Sequence, residues 1–314
     1  MANFVLIFFC LGLGVLLKRT GRFPQTTAQV LNAFVIYVSL PAVILLQIPA
    51  LLKNTEIDRH MLIPISMPWL LFAMSFGFFI LLGKRLKWSQ PEIGALILTA
   101  GLGNTSFVGF PILESLLGSS SLRIGIIIDQ LGSFLILSTV GIAVAARFSG
   151  REGKSHSAAQ VFQNIFSFPP FVTLFVSIIW YLTGTSENPI AVSIFEKLAV
   201  TLIPLALVAV GFQLHLSRGV LARQWRPLVY GLGFKLVLMP LVFMGLYIFV
   251  FGSTTQSTHI TILESAMAPM ITACVVAVEF GLKAEIVTLM MGIGIPLSLV
   301  TVPIWHQILL LVIS

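Results

Sequence analysis

The sequence predicts an all-α integral membrane protein with ten transmembrane helices in two inverted five-helix repeats, the fourth and ninth helices being broken. Three observations predict it. Of the 314 residues, 57% are hydrophobic and only 9% are charged, with a mean hydropathy of +1.03. The apolar runs are continuous over the roughly 20 residues that a helix needs to cross a bilayer. Basic residues alternate from one connection to the next. A soluble chain would need far more polar surface, and barrel strands would alternate apolar and polar residues over about ten positions. Backbone groups in lipid must pair internally, so continuous runs such as 69–82 and 236–251 are solved by helices.

The spans read as about 3–17, 26–48, 61–82, 91–117, 122–146, 167–183, 189–215, 227–251, 257–280 and 285–312. The first is a helix rather than a secretory signal, because Met1-Ala2-Asn3 carries no basic side chain while Lys18, Arg19 and Arg22 follow the run. The odd connections hold thirteen Lys and Arg and the even ones only Lys53, Arg59 and Arg123. Basic residues favour the cytoplasmic side, so the odd connections are expected inside and both termini outside, in the cell (inner) membrane.

The net charge of +7 does not point to nucleic acid, because the basic residues sit in short gaps without interleaved aromatics. The expected surroundings are the lipid bilayer. Cys10 and Cys274 fall inside apolar runs, as small packing residues do. His60, His156, His215, His259 and His306 have no ligand spacing, so no metal is expected. There is no H-E-x-x-H, G-x-S-x-G or phosphate loop. The expectation is therefore no enzyme, no cofactor and no ATP-driven transport by this chain.

Two halves, 1–150 and 167–314, flank a polar linker at 151–166 expected to be cytoplasmic. An offset of 163 residues places Pro41 on Pro204, Pro64 on Pro227 and Gly118 on Gly281, with helices falling on helices. Five helices per half turns the second half upside down, a pattern found in secondary transporters.

Span four carries Gly101-Leu102-Gly103-Asn104-Thr105-Ser106, then Gly109 and Pro111. Glycine and proline break the helix, and such polar residues at mid-membrane need a cavity to line. Span nine carries Glu264-Ser265-Ala266-Met267-Ala268-Pro269, and the offset sets 101–111 onto 264–274. Matched interruptions are the best sequence pointer to a transport site. After each break a half-helix starts with free N–H groups and a positive dipole end, which attracts an anion. The candidate substrate site is Asn104, Thr105, Ser106, Gly109, Pro111, Ala268, Pro269, Met270 and Ile271.

Asp129, Lys235 and Glu264 lie well inside the membrane, at a cost of at least about 2.5–3.5 kcal/mol each, and form a candidate coupling or charge network. Three readings stay open for Lys235: pairing with Glu264, replacing a coupling cation, or snorkelling to the inner interface. Glu114, Glu196, Lys197 and Glu279 lie nearer helix ends, where interfacial solvation suffices.

Gly103-Asn104-Thr105-Ser106-Phe107-Val108-Gly109-Phe110-Pro111 resembles the span-four motif of the auxin efflux carrier family. Glu264-Ser265-Ala266-Met267-Ala268-Pro269-Met270 and Gly292-Ile293-Gly294-Ile295-Pro296-Leu297-Ser298 resemble the last two helices of its bacterial members. The resemblance implies that spans four and nine cross. It implies a scaffold of helices one, two, six and seven, a transport part of helices three to five and eight to ten, elevator-type alternating access and a homodimer. It also implies small organic anion substrates: auxin in plants, malonate or related carboxylates in some bacterial members. The family's span-four Asn carries over to Asn104. The second Asn of plant members has no counterpart in Ala266-Met267-Ala268-Pro269, which together with the short central linker favours a compact bacterial type. The expected function is a secondary carrier for a small organic anion. The alternatives are a proton- or sodium-coupled carrier with the cation at the crossing, and a membrane sensor or channel.

Overall fold

The computed structural model describes residues 2–54, 61–149, 169–185, 188–213 and 218–313; the linker expected at 151–166 lies outside them. Among the described residues, and apart from the single turn Ser119–Ser121, twelve helical segments follow one another: α1 (Ala2–Thr20), α2 (27–54), α3 (Leu62–Leu86), α4 (Gln90–Gly101), α5 (Thr105–Leu117), α6 (122–147), α7 (Pro169–Leu182), α8 (189–213), α9 (218–250), α10 (Gln256–Ser265), α11 (Ile271–Glu279) and α12 (Ala284–Ile313). Among the described residues, six stretches are long and apolar enough to cross a membrane: Thr27–Ala50, Leu62–Leu86, Ile124–Arg147, Pro189–Ala209, Gly219–Val250 and Ala284–Val312. Lipid is the solvent that accounts for Leu81 at 72%, Val250 at 71% and Leu311 at 80% exposure.

Local chemistry sets the helix ends. At the start of α4 the Glu92 carboxylate accepts from the Ser89 N–H at 2.8 Å and its hydroxyl at 3.0 Å. Asn188 caps α8 and Thr255 caps α10. Two turns repeat at the 163-residue offset: Gly118 and Gly281 take φ 81° and 72°, and Gly21 and Gly184 take φ 65° and 71°. These left-handed turns favour glycine.

Two sets of helices pack mainly among themselves. In the first, α1 lies along the second part of α8, and α2 packs on α7 and α8. Gly14 touches the backbone of Val208, Gly211 and Phe212, an approach that any Cβ would block. Ser39 and Thr201 hydroxyls meet at 2.7 Å, and Ser177 donates to the Ile44 carbonyl at 3.2 Å. The second set contains α3 to α6 and α9 to α12. Its centre is α4, where Ala95, Leu96, Ile97, Leu98 and Ala100 are all buried. An all-round apolar helix belongs in the middle of a bundle. Around it, Ser75 donates to the Ile97 carbonyl at 3.0 Å and Trp305 Nε1 to the Leu236 carbonyl at 2.8 Å. Wide turns of π type interrupt α6 at Asp129–Phe134 and α9 at Phe234–Leu238. Such turns are frequent at functional sites.

Candidate functional site: a crossing of two broken helices

The two breaks meet. Between α4 and α5, and between α10 and α11, the helices stop: Leu102 and Met270 are extended, and the Asn104 and Met270 N–H groups have no partner within their own helices. They find partners on the opposite break. The Asn104 N–H donates to the Ala268 carbonyl at 2.7 Å and the Met270 N–H to the Leu102 carbonyl at 3.0 Å, on either side of an antiparallel bridge between Gly103 and Pro269. Pro269 has no N–H to satisfy, which suits it to this position. Gly294 of α12 makes room for it, because a Cβ there would lie 2.7 Å from Pro269 Cδ.

The two half-helices leaving the crossing start differently. Asn104 caps its own helix: Oδ1 accepts from the Phe107 N–H at 3.1 Å and the Val108 N–H at 3.2 Å, while its carbonyl accepts from the Gly109 N–H at 2.9 Å. Only Nδ2 is left without a partner, so Asn104 is first a capping residue. By contrast, no side chain caps the start of α11. The Thr272 hydroxyl beside it is buried and has no hydrogen-bond partner.

Asp129 sits at the first wide turn of α6. Thr105 Oγ1 donates to its Oδ1 at 2.5 Å and Gln130 Nε2 to its Oδ2 at 2.8 Å. Glu264 is fully buried near the end of α10, and neither carboxylate oxygen has a hydrogen-bond partner. The carboxylate lies against Gly109 and Gly125, where a Cβ would fall 2.9 Å and 3.3 Å from it. Lys235 is also fully buried, with Nζ beside Gly103 and without a hydrogen-bond partner. It therefore does not reach the interface, and it makes no ion pair of 4.0 Å or less with Glu264.

A narrow crevice of about 10 Å³, room for about one water, adjoins the crossing. One wall is Leu40 and Val43 of α2 with Leu202 of α8; the other includes Ser106, Phe107, Asp129, Met270 and Thr272. Of the residues singled out from sequence, Ser106 and Met270 line this crevice, and Thr105 reaches it through Asp129. Asn104, Gly109, Ala268, Pro269 and Ile271 build the crossing behind it. Pro111 lies in the helical backbone of α5.

Thr272, Phe107 and the apolar wall of α2 and α8 were not among the sequence candidates. Thr272 had a readable signal, a hydroxyl in the first turn after the break. The wall had none, because spacing within one helix says nothing about which distant helix faces it. Another juxtaposition invisible in the spacing joins His306 Nδ1 to His259 Nε2 at 3.1 Å, between α12 and α10. A larger cavity of about 780 Å³ lies where α1, α9 and α12 carry basic connections, lined by Lys18, Phe23, Phe212, Arg223 and Glu285 among others.

The family described as membrane transport protein matches residues 1–306. The chain belongs to this family, that of the auxin efflux carriers. It is similar to an uncharacterized transporter of Methanothermobacter thermautotrophicus, 27% identical over 298 residues that cover 95% of this chain and 94% of the relative. It is also 26% identical to an uncharacterized transporter of Methanocaldococcus jannaschii, over 95% of this chain and 94% of that one. The uncharacterized transporter YfdV of Escherichia coli is 22% identical over 93% of this chain and 92% of its own. The protein is thus a multi-pass membrane transporter and not an enzyme.

Proposed function

We propose that this transporter is a secondary carrier for a small organic anion, a carboxylate such as malonate or an auxin-like acid. The anion binds in the crevice at the crossing. The observation that carries this reading is the uncapped start of α11 with the unpartnered, buried hydroxyl of Thr272, a residue that lines that crevice. Free N–H groups, a positive helix end and a hydroxyl donor together favour a carboxylate without a buried arginine. Ser106 stands on the opposite break and offers a second hydroxyl.

The ten spans form two inverted repeats, with α4–α5 and α10–α11 as the crossed fourth and ninth. Support comes from the breaks at matched places and from the two glycine turns that repeat at 163 residues. The set α1, α2, α7 and α8 acts as scaffold and carries the homodimer contact; the set around α4 is the moving part. A crevice with room for about one water holds no carboxylate, so binding requires the crossing to shift relative to Leu40, Val43 and Leu202. An elevator-type displacement supplies that shift. The basic connections and the 780 Å³ cavity then face the cytoplasm, with both termini outside.

One observation favours a second reading in which a cation travels with the anion. The Asp129 carboxylate lines the same crevice and would repel an anion unless its charge were offset. Uptake into proteoliposomes with and without a pH gradient, and with sodium replaced by choline, separates the two: indifference to both conditions rejects coupling. The carrier reading itself is tested with a panel of mono- and dicarboxylates, which should include one taken up saturably. Uptake no greater than that of protein-free vesicles for the whole panel rejects it.

A further inference from the structure

Two negative helix ends meet at the crossing as well as two positive ones. α4 stops at Gly101 and α10 at Ser265, and the last carbonyls of each carry partial negative charge. The side chain that reaches this place is Lys235, from the wide turn Phe234–Leu238 of α9. A Cβ on Gly103 would lie 3.1 Å from Lys235 Nζ and 3.5 Å from the Glu264 carbonyl oxygen, so the ammonium and the end of α10 flank the same spot. Nζ has no hydrogen-bond partner in the protein and its residue is fully buried. Taking an ammonium out of water costs several kcal/mol, and two converging negative ends are what can offset that cost here. The other charged groups nearby are Glu264, against Gly109 and Gly125, and Asp129, held by Thr105 and Gln130.

We propose that Lys235 is a resident cation on the negative side of the crossing, in the place that a coupling sodium ion would otherwise fill, so that this transporter works without sodium. Its purpose rests on the carrier reading above. Its occupancy of that place does not, and can be measured with no transported anion present.

The test is thermal unfolding of the purified full chain in detergent, at constant ionic strength, in choline, sodium or ethylammonium chloride. The wild type should melt at the same temperature in choline and sodium. Lys235→Ala removes the ammonium and leaves space; it should melt lower in choline and rise saturably, by about 3 °C or more, with ethylammonium or sodium. Lys235→Met fills the space without charge and should show no such rise. If Lys235→Ala does not purify, Lys235→Ser takes its place, and the wild-type comparison stands alone if neither does. A saturable sodium stabilisation of the wild type overturns the proposal. So does a folded Lys235→Ala or Lys235→Ser protein that no cation stabilises.

Discussion

Replacing Asn104 by alanine removes the oxygen that holds the first turn of α5. Oδ1 accepts from two backbone N–H groups, at 3.1 and 3.2 Å, and the residue is buried. Loss of an N-cap costs roughly 0.5–2 kcal/mol. A buried donor left unpaired costs about 1–3 kcal/mol, and here two are exposed to that fate. Partial relaxation of the turn keeps the total below the sum, at about 2–4 kcal/mol. For a chain of this size that corresponds to roughly 5–10 °C in melting temperature. Asn104→Ser keeps a capping oxygen and should recover at least half of the loss, because serine and asparagine are comparable caps. Melting curves of the two variants and the wild type, run beside carboxylate uptake, check the order: wild type, then serine, then alanine, in both readouts. Were Asn104 instead a ligand through its amide, serine and alanine would fail alike. Equal behaviour of the two, or an alanine variant as stable as the wild type, refutes the capping argument.

Two further predictions concern packing and topology. Gly103→Ala would place a methyl group 3.1 Å from Lys235 Nζ, so uptake should fall at least tenfold while the variant remains purifiable; uptake at the wild-type rate would mean that the ammonium can move aside freely. With Cys10 and Cys274 both buried, single cysteines give a clean topology assay. Ser253→Cys should react with an impermeant maleimide applied from outside, and Lys283→Cys only after permeabilisation; the reverse pattern would invert the orientation drawn from the basic connections.

Much of this architecture was legible because lipid imposes a severe rule. Every polar or helix-breaking residue inside an apolar run is costly there, so Gly101–Ser106, Pro269, Asp129, Lys235 and Glu264 stand out without any alignment. The meeting of the breaks was foreseeable from their matched positions. The division of labour at the crossing was not. Asn104 had the residue type and the place of an N-cap, three residues before Phe107, yet a polar residue at mid-membrane reads first as a ligand. The fate of Lys235 depended on a tertiary fact, the close approach of its Nζ to Gly103, which lies 132 positions earlier and has no Cβ to crowd it. The crevice wall of Leu40, Val43 and Leu202 depended on one as well, since apolar residues on α2 and α8 look the same whether they face lipid, core or substrate. The paired His259 and His306 are separated by 47 positions, and no spacing rule joins them.

The central claim is that a carboxylate binds at the uncapped start of α11. Saturable uptake of radiolabelled malonate and related carboxylates into proteoliposomes, compared between wild type and Thr272→Val, tests it most directly. Valine keeps the shape of threonine and removes the donor from the crevice. The prediction is saturable uptake of at least one carboxylate by the wild type and about tenfold weaker apparent affinity in the variant, which corresponds to about 1.4 kcal/mol for one lost hydrogen bond to a charged group. Uptake by Thr272→Val with unchanged affinity would contradict the placement of the anion at this helix end.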